Sequence, residues 1–110
     1  MNQEYAAIPK FGFGCMRLPL TDPKNQTSID MPQFSQMVDA FLEAGGTYFD
    51  TAYLYHEGAS ETALREALVE RHPRESFQIA TKNPGARAGS PDEARACLET
   101  SMERLGVDYV

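Results

Sequence analysis

Three short apolar runs, each followed by a segment with helical apolar spacing, constrain this chain more than any other feature. Phe11 to Leu18 is the first run, and Gly12 and Gly14 within it permit close backbone approach. A polar connector, Pro19 to Thr27, leads to Asp30, a residue type that caps helices, with Pro32 in the first turn. Phe34, Met37, Val38, Phe41 and Leu42 then recur at the spacing of one helical face, and Gly45-Gly46 ends it. Thr47 to Ala52 reads as the second strand, with Tyr48, Asp50 and Ala52 on one side and Thr47, Phe49 and Thr51 on the other. Ser60 to about Glu70 is a second helix, with Leu64, Ala67 and Leu68 on one face. Phe77 to Lys82 is the third strand, where Phe77 and Ile79 oppose Gln78, Ala80 and Lys82. Asn83 to Gly89 is a Gly-rich loop, and Ser90-Pro91-Asp92-Glu93 is a capping box with proline at the first helical position. Ala94, Cys97, Leu98, Met102 and Leu105 form the third helix's apolar face, Gly106 stops it, and Val107 to Val110 reads as the start of a fourth strand.

Strands alternating with amphipathic helices through short links predict parallel β/α units of an α/β fold. With the helices on one face of the sheet, Asp50 and Lys82 project from the other. That suits a TIM-type (β/α)8 barrel, whose chemistry gathers at the carboxyl ends of its strands. An open doubly wound sheet uses the same units and is the structural alternative. A full barrel takes about 250 residues. The 110 residues here supply roughly the first three units and the start of strand four. Residues 1–110 are therefore expected to be the N-terminal part of a single barrel domain, since the helix faces and sheet edges would otherwise stay partly uncovered.

A formal net charge of −6 argues against a nucleic-acid or anionic-membrane surface. No apolar run approaches the roughly 18 residues of a membrane-spanning helix. Met1 to Lys10 lacks the basic segment and apolar core of a secretory signal. Cys15 and Cys97 are widely spaced and read as free thiols of a reducing cytoplasm.

The chemistry-bearing stretch is Tyr48-Phe49-Asp50-Thr51-Ala52-Tyr53-Leu54-Tyr55, followed by Ser60-Glu61. It sets a carboxylate at a strand end and a phenol five residues later, with the amine of Lys82 at the end of the next strand. Such a trio can make a proton-donor site, in which the ammonium lowers the tyrosine pKa and the carboxylate holds the lysine charged. A free phenol titrates near pH 10, too high to give up a proton readily at neutrality. Gly85 to Gly89 lacks the Gly-x-x-x-x-Gly-Lys phosphate-loop pattern, and no strand–Gly-x-Gly-x-x-Gly–helix fingerprint is present. Asp50, His56, Glu57 and Glu61 do not have the spacing of a familiar metal-ligand set, so no metal is expected.

Phe49-Asp50-Thr51-Ala52, two residues, Tyr55, then Ser60-Glu61 resembles the signature of the aldo-keto reductases, and Ala80-Thr81-Lys82 matches that family's lysine. The resemblance implies catalytic roles for Asp50, Tyr55 and Lys82. Tyr55 would be the proton donor, selected over Tyr53 by its spacing from Asp50. Gly12 to Leu18 resembles the family's first barrel strand, which would set Gly14, Cys15, Met16 and Asp50 near a bound nicotinamide. The implied activity is NADPH-dependent reduction of small aldehydes or ketones, with NADH as the other possible cofactor. A non-catalytic, cofactor-binding regulatory subunit is the alternative. The family's catalytic histidine lies beyond Val110, and neither His56 nor His72 takes its position. His56 stands where many members carry glycine. The version with histidine resembles a bacterial branch whose members often bear a C-terminal iron–sulfur segment.

Overall fold

The computed structural model describes residues 7–85 and 89–110. Part of the Gly-rich loop and most of the residues read for a secretory signal lie outside that range. Three parallel strands, β1 (Gly12–Gly14), β2 (Tyr48–Asp50) and β3 (Gln78–Ala80), form a sheet in chain order, with Phe13, Phe49 and Ile79 in register across it. The helices are α1 (Met31–Glu43), α2 (Ala59–Leu64, continuing as a π-turn over Arg65–Val69) and α3 (Pro91–Leu105). Asp30 caps α1 by accepting from the Gln33 N–H at 3.1 Å, and Ser90 caps α3 by accepting from the Glu93 N–H at 3.2 Å. The helix-to-strand turn after α1 places Gly45 at φ 96°, a left-handed angle that favours glycine.

Strand alternation gives the sheet two unlike faces. On one side Phe13, Phe49 and Ile79 meet Phe34 and Val38 of α1 and Leu64 and Leu68 of α2, together with Phe77 and Leu105. Four phenylalanines interlock there: Phe13 lies 6.0 Å from Phe34 and 5.5 Å from Phe41 and Phe49 between ring centres, and Phe41 lies 5.2 Å from Phe49. Burial of large side chains of this kind supplies about 1.5–3 kcal/mol each. The other face carries Gly12, Gly14, Tyr48, Asp50, Gln78 and Ala80 and borders open concavities.

Three expectations are corrected. Val107–Val110 forms no strand. Its backbone is engaged by a side chain instead: the Arg74 guanidinium donates to the Tyr109 carbonyl at 2.8 Å and stacks 3.9 Å from that ring's centre. On α3 the buried residues are Ser101 and, as expected, Leu105, whereas Leu98 is exposed. The stripe facing the core runs through Ser101 and Leu105, one helical turn apart, and Leu98 lies off it. The second helix does not stay α-helical to Glu70, because the Glu70 N–H reaches back five residues to the Arg65 carbonyl, 2.9 Å away.

Candidate active site

Backbone pairing continues past the short strands. The Cys15 N–H donates to the Asp50 carbonyl at 2.8 Å, the Thr51 N–H to the Ala80 carbonyl at 2.8 Å, and the Tyr53 N–H to the Lys82 carbonyl at 3.1 Å. This ladder sets Asp50 and Lys82 side by side at the carboxyl end of the sheet. Lys82 Nζ donates to Asp50 Oδ2 at 2.8 Å and to the Thr51 carbonyl at 2.9 Å, and it lies 4.7 Å from the centre of the Tyr55 ring. Partial burial opposes the lysine's charge. The Asp50 carboxylate and the Tyr55 hydroxyl outweigh it, and the ammonium titrates above the ordinary lysine value. The structure thus brings the three residues together, with the Asp50 and Lys82 side chains each about half exposed.

Thr51, Ser60 and Glu61, which the sequence pattern holds at fixed positions, are buried ties between segments. Ser60 Oγ donates to the Cys15 carbonyl at 3.1 Å, so the Thr51 hydroxyl, 2.9 Å away, donates to Ser60. This chain of hydroxyls joins the end of β1, the end of β2 and the start of α2. Glu61 is fully buried, accepting from Arg104 Nη1 at 3.1 Å and from the Thr81 hydroxyl at 2.7 Å. Arg104 also donates to the Tyr53 carbonyl at 2.9 Å and stacks 4.3 Å from that ring's centre. Sequence reasoning missed Thr81 and Arg104. The available signal was a charged residue next to the core residue Leu105 at a helix end, with an acid in the fixed pattern needing a partner.

His56 is buried in a left-handed turn, at φ 54°, and is followed by Glu57 at φ 55° and Gly58 at φ 95°. A glycine at this position would adopt that backbone freely. The imidazole instead spans the connector after β1: Nε2 accepts from the Leu18 N–H at 3.0 Å, and Nδ1 lies 2.8 Å from the Gln26 carbonyl. A carbonyl only accepts, so Nδ1 carries the proton and the ring is neutral. His72, near the end of the second helix, lies 2.9 Å from Asp39 Oδ1, and Arg71 donates to Oδ2 at 2.6 Å. Those two hydrogen bonds, Arg71's first, hold the Asp39 carboxyl below its usual range and tie that helix end to α1.

Of the residues expected near a cofactor, Gly14 borders a concavity of about 480 Å³ with Asp50, Gly12 and Tyr48. A Cβ added at Gly14 would meet nothing within 4 Å. Met16 is exposed, whereas the Cys15 thiol lies in the core, its pKa pushed up to about 12 by burial and then by Asp50. Among the described residues no three His, Cys, Asp or Glu side chains gather as a metal site.

The model of the Aldo/keto reductase family matches residues 10–110. Probable aldo-keto reductase 1 of Glycine max is 39% identical over 111 residues, covering 94% of this chain and 31% of the relative. The human aflatoxin B1 aldehyde reductase member 4 is 41% identical over 80 residues, covering 70% of this chain and 24% of the relative. An aldo-keto reductase from Klebsiella pneumoniae, solved with NADPH, superposes with a TM-score of 0.76 at 27% identity over 97% of this chain and 34% of that one. A holo aldo-keto reductase from Bacillus halodurans gives 0.72 at 30% identity over 94% of this chain and 34% of that one. The chain spans between about a quarter and a third of the length of these relatives. Its three parallel β/α units are those of the (β/α)8 barrel to which the solved structures belong. By the match to the family model over nearly its whole length, this chain is a member of the aldo/keto reductase family.

Proposed function

We propose that this chain is the opening part of a (β/α)8 barrel enzyme of the cytoplasm that reduces small aldehydes or ketones to alcohols, with Tyr55 as proton donor. The observation that carries the reading is the Lys82 ammonium held 2.8 Å from Asp50 and 4.7 Å from the centre of the Tyr55 ring. Bound NADPH supplies the hydride. Tyr55 gives its proton to the oxygen that becomes the alcohol, and the Lys82 ammonium beside it stabilises the phenolate left behind. Asp50 keeps that ammonium charged and in place. The residues present suit such a cofactor. Gly14 leaves open space beside Asp50, so a planar ring can approach the backbone there, while Cys15 contributes main chain only. Relatives solved as NADPH and NADP complexes support the choice of cofactor, and the aldehyde reductases among the relatives support the substrate class.

The test uses the full-length protein that contains this chain, following loss of NADPH absorbance with small aldehydes, ketones and quinones. Tyr55→Phe should lower turnover about 10²- to 10⁴-fold, the usual worth of a positioned proton donor, while cofactor affinity holds. Cofactor binding without consumption across all substrates would instead identify a regulatory subunit.

A further inference from the structure

We propose that Glu61 and Arg104 form a positioning pair that sets the separation between the Tyr55 phenol and the Lys82 ammonium. The inference rests on the reading of Tyr55 as proton donor. The Lys82 ammonium bonds Asp50 and the Thr51 carbonyl, whereas Glu61 and Arg104 bond other groups. The pair ties down the two segments that carry the reacting groups: Arg104 donates to the Tyr53 carbonyl, two residues before the phenol, and Glu61 accepts from the Thr81 hydroxyl, one residue before the amine.

Arg104 brackets the phenol's segment from both ends. Beyond its bond to Tyr53, its guanidinium lies beneath Gly58, where an added Cβ would fall 3.1 Å from Nη2. Tyr53 to Gly58 therefore arches over one guanidinium, with Tyr55 near the middle of the arch. The stack on the Tyr53 ring fixes the guanidinium plane, which an ammonium in its place would not do. Glu61 is fully buried, and Arg104 is three-quarters buried. Well-packed apolar side chains of similar volume commonly stabilise a fold as well as or better than a buried ion pair. What the charged pair adds is direction, with defined bonds into the phenol-bearing loop and the lysine-bearing strand. Reacting groups displaced by about 1 Å can lose on the order of 10²-fold in rate.

Three variants of the full-length protein test this: Glu61→Gln, Arg104→Lys and Thr81→Val. Thr81→Val cuts only the link to the lysine-bearing strand and leaves the ion pair, so it remains informative if either of the others unfolds. Each is measured for folded fraction by circular dichroism, for NADPH affinity by fluorescence, and for kcat against pH with the solvent deuterium isotope effect. The folded variants should lose about 10-fold or more in kcat, with NADPH affinity within about 2-fold. The pH at which kcat falls should move and the isotope effect should rise, because proton donation becomes slower relative to the other steps. Glu61→Gln removes the ion pair while its amide still reaches the Thr81 hydroxyl, so adding Thr81→Val to it should lower kcat further. An unchanged kcat–pH profile in any folded variant would overturn the proposal. So would a loss of kcat that follows only the folded fraction or the cofactor affinity. Tyr55→Phe runs alongside: if it keeps full turnover, the proton-donor reading fails first, and if it alone loses turnover, the positioning pair is wrong and that reading stands.

Discussion

At the scale of single residues, position along the chain says little about role until partners are known. Lys82 and His56 are both titratable groups beside a phenol-bearing turn. One is half exposed and salt-bridged, and the other is buried between two backbone groups. Lys82→Met in the full-length protein should lower turnover by about 10²- to 10⁴-fold without unfolding it. Folding raises the Lys82 pKa above its ordinary 10.5, so the pairing stabilises the fold fully below that value. The contribution is lost as pH rises through the raised value. Urea midpoints compared at about pH 9 and about pH 11 should therefore fall further in the parent than in Lys82→Met. His56→Ala should destabilise by about 1–3 kcal/mol, because it keeps the left-handed backbone and leaves the Leu18 N–H without its buried acceptor. Urea denaturation checks it, and a change below about 0.5 kcal/mol would show that the two bonds to the imidazole contribute nothing. The convergence of Asp50, Tyr55 and Lys82 was legible because Asp50 and Lys82 lie at the ends of neighbouring strands and Tyr55 follows Asp50 by five residues in the next loop, the spacing of the aldo-keto reductase pattern. Arg104 and Thr81 were not, since a helix residue and a strand residue 23 positions apart meet only through Glu61.

At the scale of elements, caps located the starts of α1 and α3. The second helix begins at Ala59 without a side-chain cap, one residue before the Ser60 read from the sequence, and the facing stripe of α3 depended on its neighbours. Ser90, Pro91 and Gly106 bound α3 as their chemistry requires, with Gly106 at φ 69°. Apolar spacing alone picked Leu98 as a core residue. The structure buries Ser101 instead, because the buried face follows the contact with α2 and not the count of apolar positions. Ser101→Leu should cost about 1–3 kcal/mol by overpacking, and Leu98→Ser should change stability by no more than about 0.5 kcal/mol. Thermal melts of the two variants separate the assignments, and the opposite ranking would restore the stripe read from the sequence. The π-turn at Arg65–Val69 was likewise illegible, since one extra residue in a helical turn leaves apolar spacing nearly unchanged.

For the whole molecule, the controlling fact is a sheet that, among the described residues, is covered by helices on one face only. Phe13, Phe49 and Ile79 lie under helices, and Tyr48, Asp50, Gln78 and Ala80 face a concave surface lined also by Tyr109 and Val110. A barrel closes that face by bringing further strands round it. The isolated 110-residue chain should accordingly oxidise no NADPH in the presence of aldehyde and should bind a hydrophobic dye such as ANS more strongly than the full-length protein. NADPH consumption by the isolated chain at a rate near that of the full-length protein would overturn this.

The sequence alone determined the order and direction of the β/α units, the helix caps, and the residues that could share a proton, because these depend on local spacing and backbone chemistry. The tertiary structure decided which polar residues serve as ties, which face of α3 is buried, and that His56 pins a connector in its neutral form. Those outcomes depend on hydrogen-bond partners tens of residues away, and desolvation makes such partners obligatory only once the chain has folded around them.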